Sequence, residues 1–437
     1  MVFEEADIVI RNCMILPMNN LKVVTKGLIA VKDGAISYMG ETNDAPKIKA
    51  ENILEGRGKL AMPGLINCHT HLAMTLFRGL AEDATLEKWL SESIWPLEAK
   101  LTSKDVYAGA LLGCLEMVKN GVTCFADMYF FEHKVAEAVE KAGLRAVLSS
   151  GIIEANDRKR GEKLFREAVE FAEKYKGYAD GRVTTFLGPH TAFTCSAELL
   201  ARVREKASQM GLGVHIHVAE SKEMAEKVMK KCGFSEVGFL EKLGFLDSDV
   251  LAAHCIHLTR EDMAVLAKRD VKVAHNPVAN MKLAQGVAKV RELVDAGVTV
   301  GLGTDGAASN NCLDMFESMK VAALLQKTNY GDTTVLPSKK VLEMATIRGA
   351  EALGLEKEIG SLEVGKRADV ILVDLKKPNL TPLHDLCASL VYSAHGCDVD
   401  SVIVDGEVVM ENREVKILDE EEVMEKAQDA AFSLLYR

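Results

Sequence analysis

The sequence predicts a (β/α)8 TIM barrel joined to a small β-sandwich domain formed from both chain ends. Three observations lead there. Eight short apolar strands alternate with helical stretches through the middle of the chain, which implies parallel pairing. Both ends share a different, strand-rich texture. Histidines and an aspartate recur at the ends of the central strands, where barrels of this kind carry their chemistry.

At the N-terminal end, Ala6-Asp7-Ile8-Val9-Ile10-Arg11-Asn12 and Gly27-Leu28-Ile29-Ala30-Val31-Lys32-Asp33-Gly34 alternate with a period near two. The second closes on an Asp-Gly turn. At the other end, Asp369-Val370-Ile371-Leu372-Val373-Asp374 reads as an apolar strand. Val402-Ile403-Val404-Asp405-Gly406-Glu407-Val408-Val409 reads as a hairpin bent at its own Asp-Gly, and a helix rich in Glu, Met and Ala follows from near Asp419. Chain ends commonly lie together. Residues 1–60 and 361–437 are therefore expected to form one β domain, the second part including the closing helix, around a barrel over 61–360.

Within the barrel the strands are expected at 65–69, 123–127, 145–151, 183–188, 213–217, 250–254, 271–275 and 298–305. Helical stretches between them include 103–120, 161–176, 196–211 and 260–268, several ending at Gly as helix C-termini do. Counting units does not prove closure, so an open doubly wound sheet is the alternative.

Composition excludes several function classes. With 48% hydrophobic and 27% charged residues the chain is ordinary globular protein. Its formal charge is −11, and its one compact basic run, Arg158-Lys159-Arg160, reads as a solvated loop. A nucleic-acid binder needs a basic stripe to replace counterions, and none is present. The ten cysteines form no C-x-x-C pair, which argues against a zinc finger or a thioredoxin-like site. They read as small core residues in a reducing compartment. The first residues are acidic where a signal peptide would be basic, and no run of about 18 apolar residues occurs. A cytoplasmic protein with no membrane partner is expected.

The strand ends carry His69-Thr70-His71, Gly188-Pro189-His190, His215-Ile216-His217, Ala252-Ala253-His254, Ala274-His275-Asn276 and Gly303-Thr304-Asp305. Seven of the eleven histidines lie there. A single strand-end histidine is ordinarily a structural hydrogen bonder, but seven on one face argue for chemistry. His-x-His on an extended segment points both rings to one side, so His69 and His71 can chelate one ion. His217 and Asp305 would complete an N3O set that suits zinc and also accommodates iron or nickel.

These residues sit in recognisable segments. Pro63-Gly64-Leu65-Ile66-Asn67-Cys68-His69-Thr70-His71, Gly301-Leu302-Gly303-Thr304-Asp305-Gly306 and Gly360-Ser361-Leu362-Glu363-Val364-Gly365-Lys366-Arg367-Ala368-Asp369 resemble the amidohydrolase superfamily. Trp95-Pro96-Leu97-Glu98, His217-Val218-Ala219-Glu220, Ala253-His254-Cys255, His275-Asn276-Pro277 and Gly306-Ala307-Ala308-Ser309-Asn310-Asn311 are similar to its methylthioadenosine/S-adenosylhomocysteine deaminase branch.

The resemblance implies one divalent metal ion per subunit on His69, His71, His217 and Asp305: Zn2+, with Fe2+ as the alternative. It implies Glu220 as proton shuttle, His254 orienting the attacking water and Asp305 taking a second proton. Glu98 and His190 would bind the ribose hydroxyls, with Glu220 and Ser309 at the ring. The activity implied is hydrolytic deamination of the adenine ring of free adenosine-type nucleosides, in nucleoside salvage, by a homo-oligomer such as a tetramer. Guanine or cytosine deamination and triazine dechlorination need the same metal set and are the rivals. A catalytically dead barrel scaffold is the reading from a different class.

Other patterns point elsewhere only weakly. Gly301-x-Gly303-x-x-Gly306 matches a dinucleotide fingerprint formally, but its Asp305 belongs to the metal set. The zinc deaminases with H-x-E and P-C-x-x-C have no counterpart here. Strand four lacks the lysine that a two-metal cyclic-amide hydrolase would carboxylate. Strand three ends in Ser149-Ser150-Gly151, without an Arg to pair a substrate carboxylate; Arg158 and Arg160 lie further on. Neutral 5′ groups are therefore expected to be preferred, as in 5′-deoxyadenosine, methylthioadenosine or adenosine, with S-adenosylhomocysteine tolerated.

Overall fold

The computed structural model describes residues 4–19, 22–80, 82–85 and 88–437. Eight parallel strands run in chain order: Leu65–Thr70, Val122–Tyr129, Arg145–Ile152, Val183–Pro189, Val214–Val218, Val250–His254, Lys272–His275 and Val300–Leu302. Each pairs with the next, so every expected strand is found. The eighth is shorter than the expected 298–305, because Asp305 turns into the left-handed region (φ 63°) and leaves the ladder.

That departure closes the barrel. The Asp305 amide donates to the His69 carbonyl at 2.9 Å, joining strand eight to strand one. Below it, the buried Asn67 side chain donates to Thr304 Oγ1 (2.7 Å) and accepts from the Thr304 amide (3.0 Å). An added Cβ on Gly303 would lie 3.0 Å from the His69 backbone, so only glycine lets the two strands approach this closely. The open-sheet alternative is excluded.

Helices cover the strands and are fixed by local signals. Ser103–Lys119 starts with a capping box between Thr102 and Asp105. Ala197–Met210 is capped by Ser196 and ends on Gly211 at φ 59°. Arg158-Lys159-Arg160, expected as a loop, is instead the first turn of the helix Arg158–Tyr175. The Asp157 carboxylate accepts from the amides of Lys159 and Arg160 and starts the helix three residues early. Among the described residues, no helix is long and apolar enough to cross a membrane.

The two ends meet in a separate nine-stranded mixed sheet, where Val370–Asp374 pairs antiparallel with Lys59–Pro63. The sandwich is thus one curled sheet. The turns Asp33-Gly34 and Asp405-Gly406 come from hairpins near opposite ends of the strand order, yet they touch: a Cβ on Gly406 would lie 2.5 Å from Gly34 Cα. Ile10, Ile29, Val370 and Ile403 fill the core between them. Buried Arg145, at the base of barrel strand three, donates to Asp369 (3.1 and 3.3 Å) and to Asp405 (2.9 Å), locking this sheet to the barrel.

Candidate metal centre and active site

His69 lies at the end of barrel strand one and His71 just beyond it; His217 comes from strand five and Asp305 from the segment after strand eight. In all three imidazoles Nδ1 is already engaged. That of His69 meets His215 Nε2 at 2.9 Å, that of His71 the Met128 carbonyl at 2.6 Å, and that of His217 the His190 carbonyl at 2.9 Å. A proton on each Nδ1 leaves the three Nε2 atoms, which lie within 4.8 Å of one another, free to bind a cation. His71 and His217 Nε2 are 3.4 Å apart, and Asp305 Oδ1 is 3.4 and 3.5 Å from Nε2 of His71 and His69.

These separations fit a metal. Tetrahedral donors with bonds of about 2.0–2.1 Å stand about 3.3–3.4 Å apart. His69 Nε2 is buried with no hydrogen-bond partner, as a ligand atom waiting for a cation would be. Burial pushes the His69 imidazole down to about 3 and His217 well below its ordinary value, so both are neutral and can donate lone pairs. Burial would raise Asp305, but the close approach of His69 and His71, at 3.5 and 3.4 Å, outweighs it and holds the carboxyl well below its usual range.

Around this centre the other expected residues converge. Glu98, His190, Glu220, His254 and Ser309 line one cavity with His71, His217 and Asp305. His254 Nδ1 is 2.9 Å from Asn280 Oδ1. Burial raises the Glu220 carboxyl above its ordinary value; Asp305 adds to this and His254 opposes it. Glu98 is raised by burial against a 2.8 Å hydrogen bond from the Tyr129 hydroxyl. His190 Nδ1 bonds Thr194 Oγ1 at 3.0 Å, and burial pushes its imidazole down to about 4. Ser309 donates to the Gly306 carbonyl at 3.0 Å. Ala219, His254 and Asp305 all hold positive φ at strand ends, a concentration of backbone strain typical of functional sites. Outward, beyond Trp95, Glu98 and His190, the space widens into a cavity of about 720 Å³ lined by Arg160 and Lys163.

The Amidohydrolase family profile matches residues 60–409. The chain belongs to this family. It is 49% identical to a 5′-deoxyadenosine deaminase of Methanosarcina acetivorans, over 99% of each chain. It is 48% identical to a 5-methylthioadenosine/S-adenosylhomocysteine deaminase of Moorella thermoacetica, over 95% of this chain and 97% of that one. The crystal structure of an adenosine deaminase from Xanthomonas campestris with bound zinc has a TM-score of 0.95 at 32% identity, covering all of both chains.

Several residues of this amidohydrolase site escape a reading of strand ends. His215 was visible in His215-x-His217, yet its part, accepting at Nε2 from the Nδ1 proton of His69, depends on a distance across the barrel. Tyr129 on Glu98 and Asn280 on His254 are contacts of the same kind. Asp127 accepts from the Leu72 amide directly after His71 (2.7 Å) and lies against buried Glu132. Of the two arginines left open, Arg160 lines the outer cavity, whereas Arg158 is exposed and faces Glu198. Buried His275 has no hydrogen-bond partner at either ring nitrogen, and nothing in the structure explains it.

Proposed function

We propose that this chain hydrolyses the adenine ring of free adenosine-type nucleosides to the inosine analogue and ammonia. The observation that carries the reading is the gathering of three Nε2 atoms and Asp305 Oδ1 beside Glu220, whose carboxyl is raised above its ordinary value. The names of relatives about half identical over the whole chain support it.

His69, His71, His217 and Asp305 would hold one divalent cation, zinc by the match of donors and spacing. Such a cation supplies Lewis acidity, lowering the pKa of water from about 15.7 to about 7 so that hydroxide is available near neutrality. With the oxygen adding at C6, Glu220 delivers a proton to ring N1, a role its raised pKa suits. His254, with Nδ1 committed to Asn280, presents Nε2 to orient the water. Asp305, kept ionised, receives the second proton, which leaves with the amino group as ammonia. Glu98, fixed by Tyr129, and His190 bind the ribose hydroxyls, and Ser309 flanks the ring.

Arg160 bears on the 5′ group. The guanidinium missing from strand three is supplied to the outer cavity by the helix that follows, so S-adenosylhomocysteine belongs among the substrates beside the neutral 5′ nucleosides. A cytoplasmic homo-oligomer, such as a tetramer, completes the reading; its ten unpaired cysteines suit a reducing compartment.

The test is ultraviolet-monitored turnover by zinc-loaded protein of 5′-deoxyadenosine, methylthioadenosine, S-adenosylhomocysteine, adenosine, guanine and cytosine. Conversion of the adenosines, with kcat about 10²–10⁴-fold lower in Glu220→Gln at unchanged zinc content, is expected. No turnover of any adenine nucleoside by metal-bound protein overturns the assignment.

A further inference from the structure

Glu236 opens the helix Glu236–Lys242 behind its cap Ser235, a position where acidic residues usually stay in solvent. Here the side chain is buried and leaves its own helix. Oε1 accepts from the Ala192 amide at 3.2 Å and Oε2 from the Ala219 amide at 2.8 Å. No Lys or Arg among the described residues pairs with it. Desolvating an unpaired carboxylate is costly, and burial pushes this one up to about 7.

Both amides belong to segments that carry site residues. Ala192 lies two residues past His190, whose carbonyl holds His217. Ala219 immediately precedes Glu220 and sits in the left-handed region at φ 49°, which a residue with a Cβ adopts only when its surroundings hold it there. The Ala219 carbonyl accepts from the amides of Ile256 and His257, just past His254. One carboxylate thus joins two strand-end segments directly, and the third is tied to the carbonyl of the same Ala219, in the peptide that leads into Glu220.

We propose that Glu236 is a positioning residue for proton transfer: it fixes the Ala219 peptide, and through it the aim of Glu220, in register with the His190 segment. This rests on the role proposed for Glu220. Only a carboxylate offers acceptors to both amides; a glutamine turns an NH2 against one of them. Misplacement of a reacting group by about 1 Å costs about 10²-fold in rate.

The test is a double-mutant cycle in the zinc-loaded enzyme with its best adenine nucleoside. Glu236→Gln is expected to lower kcat about 10- to 100-fold, with KM within about twofold of wild type and zinc content unchanged. In a Glu220→Gln background the same substitution is expected to change kcat less than about threefold, because the group it positions is already gone. Multiplying effects in the double variant, an unchanged kcat, or a rise in KM at constant kcat would each overturn the proposal. If Glu236→Gln does not fold, Glu236→Asp, which keeps the charge but cannot span both amides, enters the same cycle. A failure of the underlying reading is distinguishable, since Glu220→Gln alone would then leave kcat unchanged.

Discussion

Replacing Asn67 by Leu keeps the γ-branched shape and removes the amide that stitches the barrel seam. Three hydrogen bonds go: two with Thr304, at 2.7 and 3.0 Å, and a longer one of 3.3 Å from the His69 amide. Asn67, His69 and Thr304 are all fully buried, so no water replaces the lost partner. Thr304 Oγ1 still donates to the Asp305 carbonyl at 2.9 Å and is not orphaned. The backbone N–H groups of Thr304 and His69 are. At about 1–3 kcal/mol for each buried unsatisfied donor, with His69 near the lower end, the loss is about 2–5 kcal/mol. The orphaned groups adjoin two of the residues that would hold the cation. Loosening such support typically weakens metal binding about 10–100-fold. Guanidinium unfolding of apo protein reads the first quantity, and chelator competition for zinc the second. An unfolding free energy within about 0.5 kcal/mol of wild type, at unchanged zinc affinity, would refute the reasoning.

Two further outcomes follow from buried charges. Arg145→Met strands buried Asp369 without a cation and leaves Asp405 with Arg367 alone, and should cost about 3–5 kcal/mol, measured by denaturant unfolding. Adding Asp369→Asn should recover part of that loss; no recovery would mean the pairing is not what matters. Burial raises Asp127 to about 6 and Glu132 well above its ordinary value, and the neighbouring Asp127 charge raises Glu132 further. The folded chain therefore keeps a proton that the unfolded chain releases above about pH 4.3. Stability should fall as pH rises from there through the raised Glu132 value, by up to about 1.4 kcal/mol per pH unit. Glu132→Gln mimics the protonated acid, keeps the acceptor for the Tyr129 amide, and should flatten the decline. Parallel curves for the two proteins between pH 5 and 8 would count against a proton retained on Glu132.

The sequence carried the alternation of strands and helices, because period and turn chemistry are local. It also carried the His-x-His pairs, whose common facing follows from the pleat. What it hid was tertiary. The shortening of strand eight comes from Asp305 entering the left-handed region to reach the His69 carbonyl, a contact 236 residues away in the chain. His215, Tyr129, Asn280 and Glu236 act on their neighbours through distances that no spacing encodes. The helix start at Arg158 was in principle legible, since Asp157 is a good cap. The charge run after it favoured a solvated loop instead. Two sequence-distant Asp-Gly turns each announced a hairpin, but nothing local said that they would meet.

That meeting has a consequence for synthesis. Lys59–Pro63 has its antiparallel partner in Val370–Asp374, about 300 residues later. At about 5–20 residues per second, the outer edge of Lys59–Pro63 waits some 15–60 s on the ribosome for its neighbour. During that interval Leu60 and Met62, both buried in the finished fold, border an unpaired edge of the kind that recruits other chains. The barrel and the pairing among the N-terminal strands can form in the meantime, but the sheet cannot be completed. Yield in a heterologous host should therefore depend on chaperone supply more than the finished fold's stability suggests.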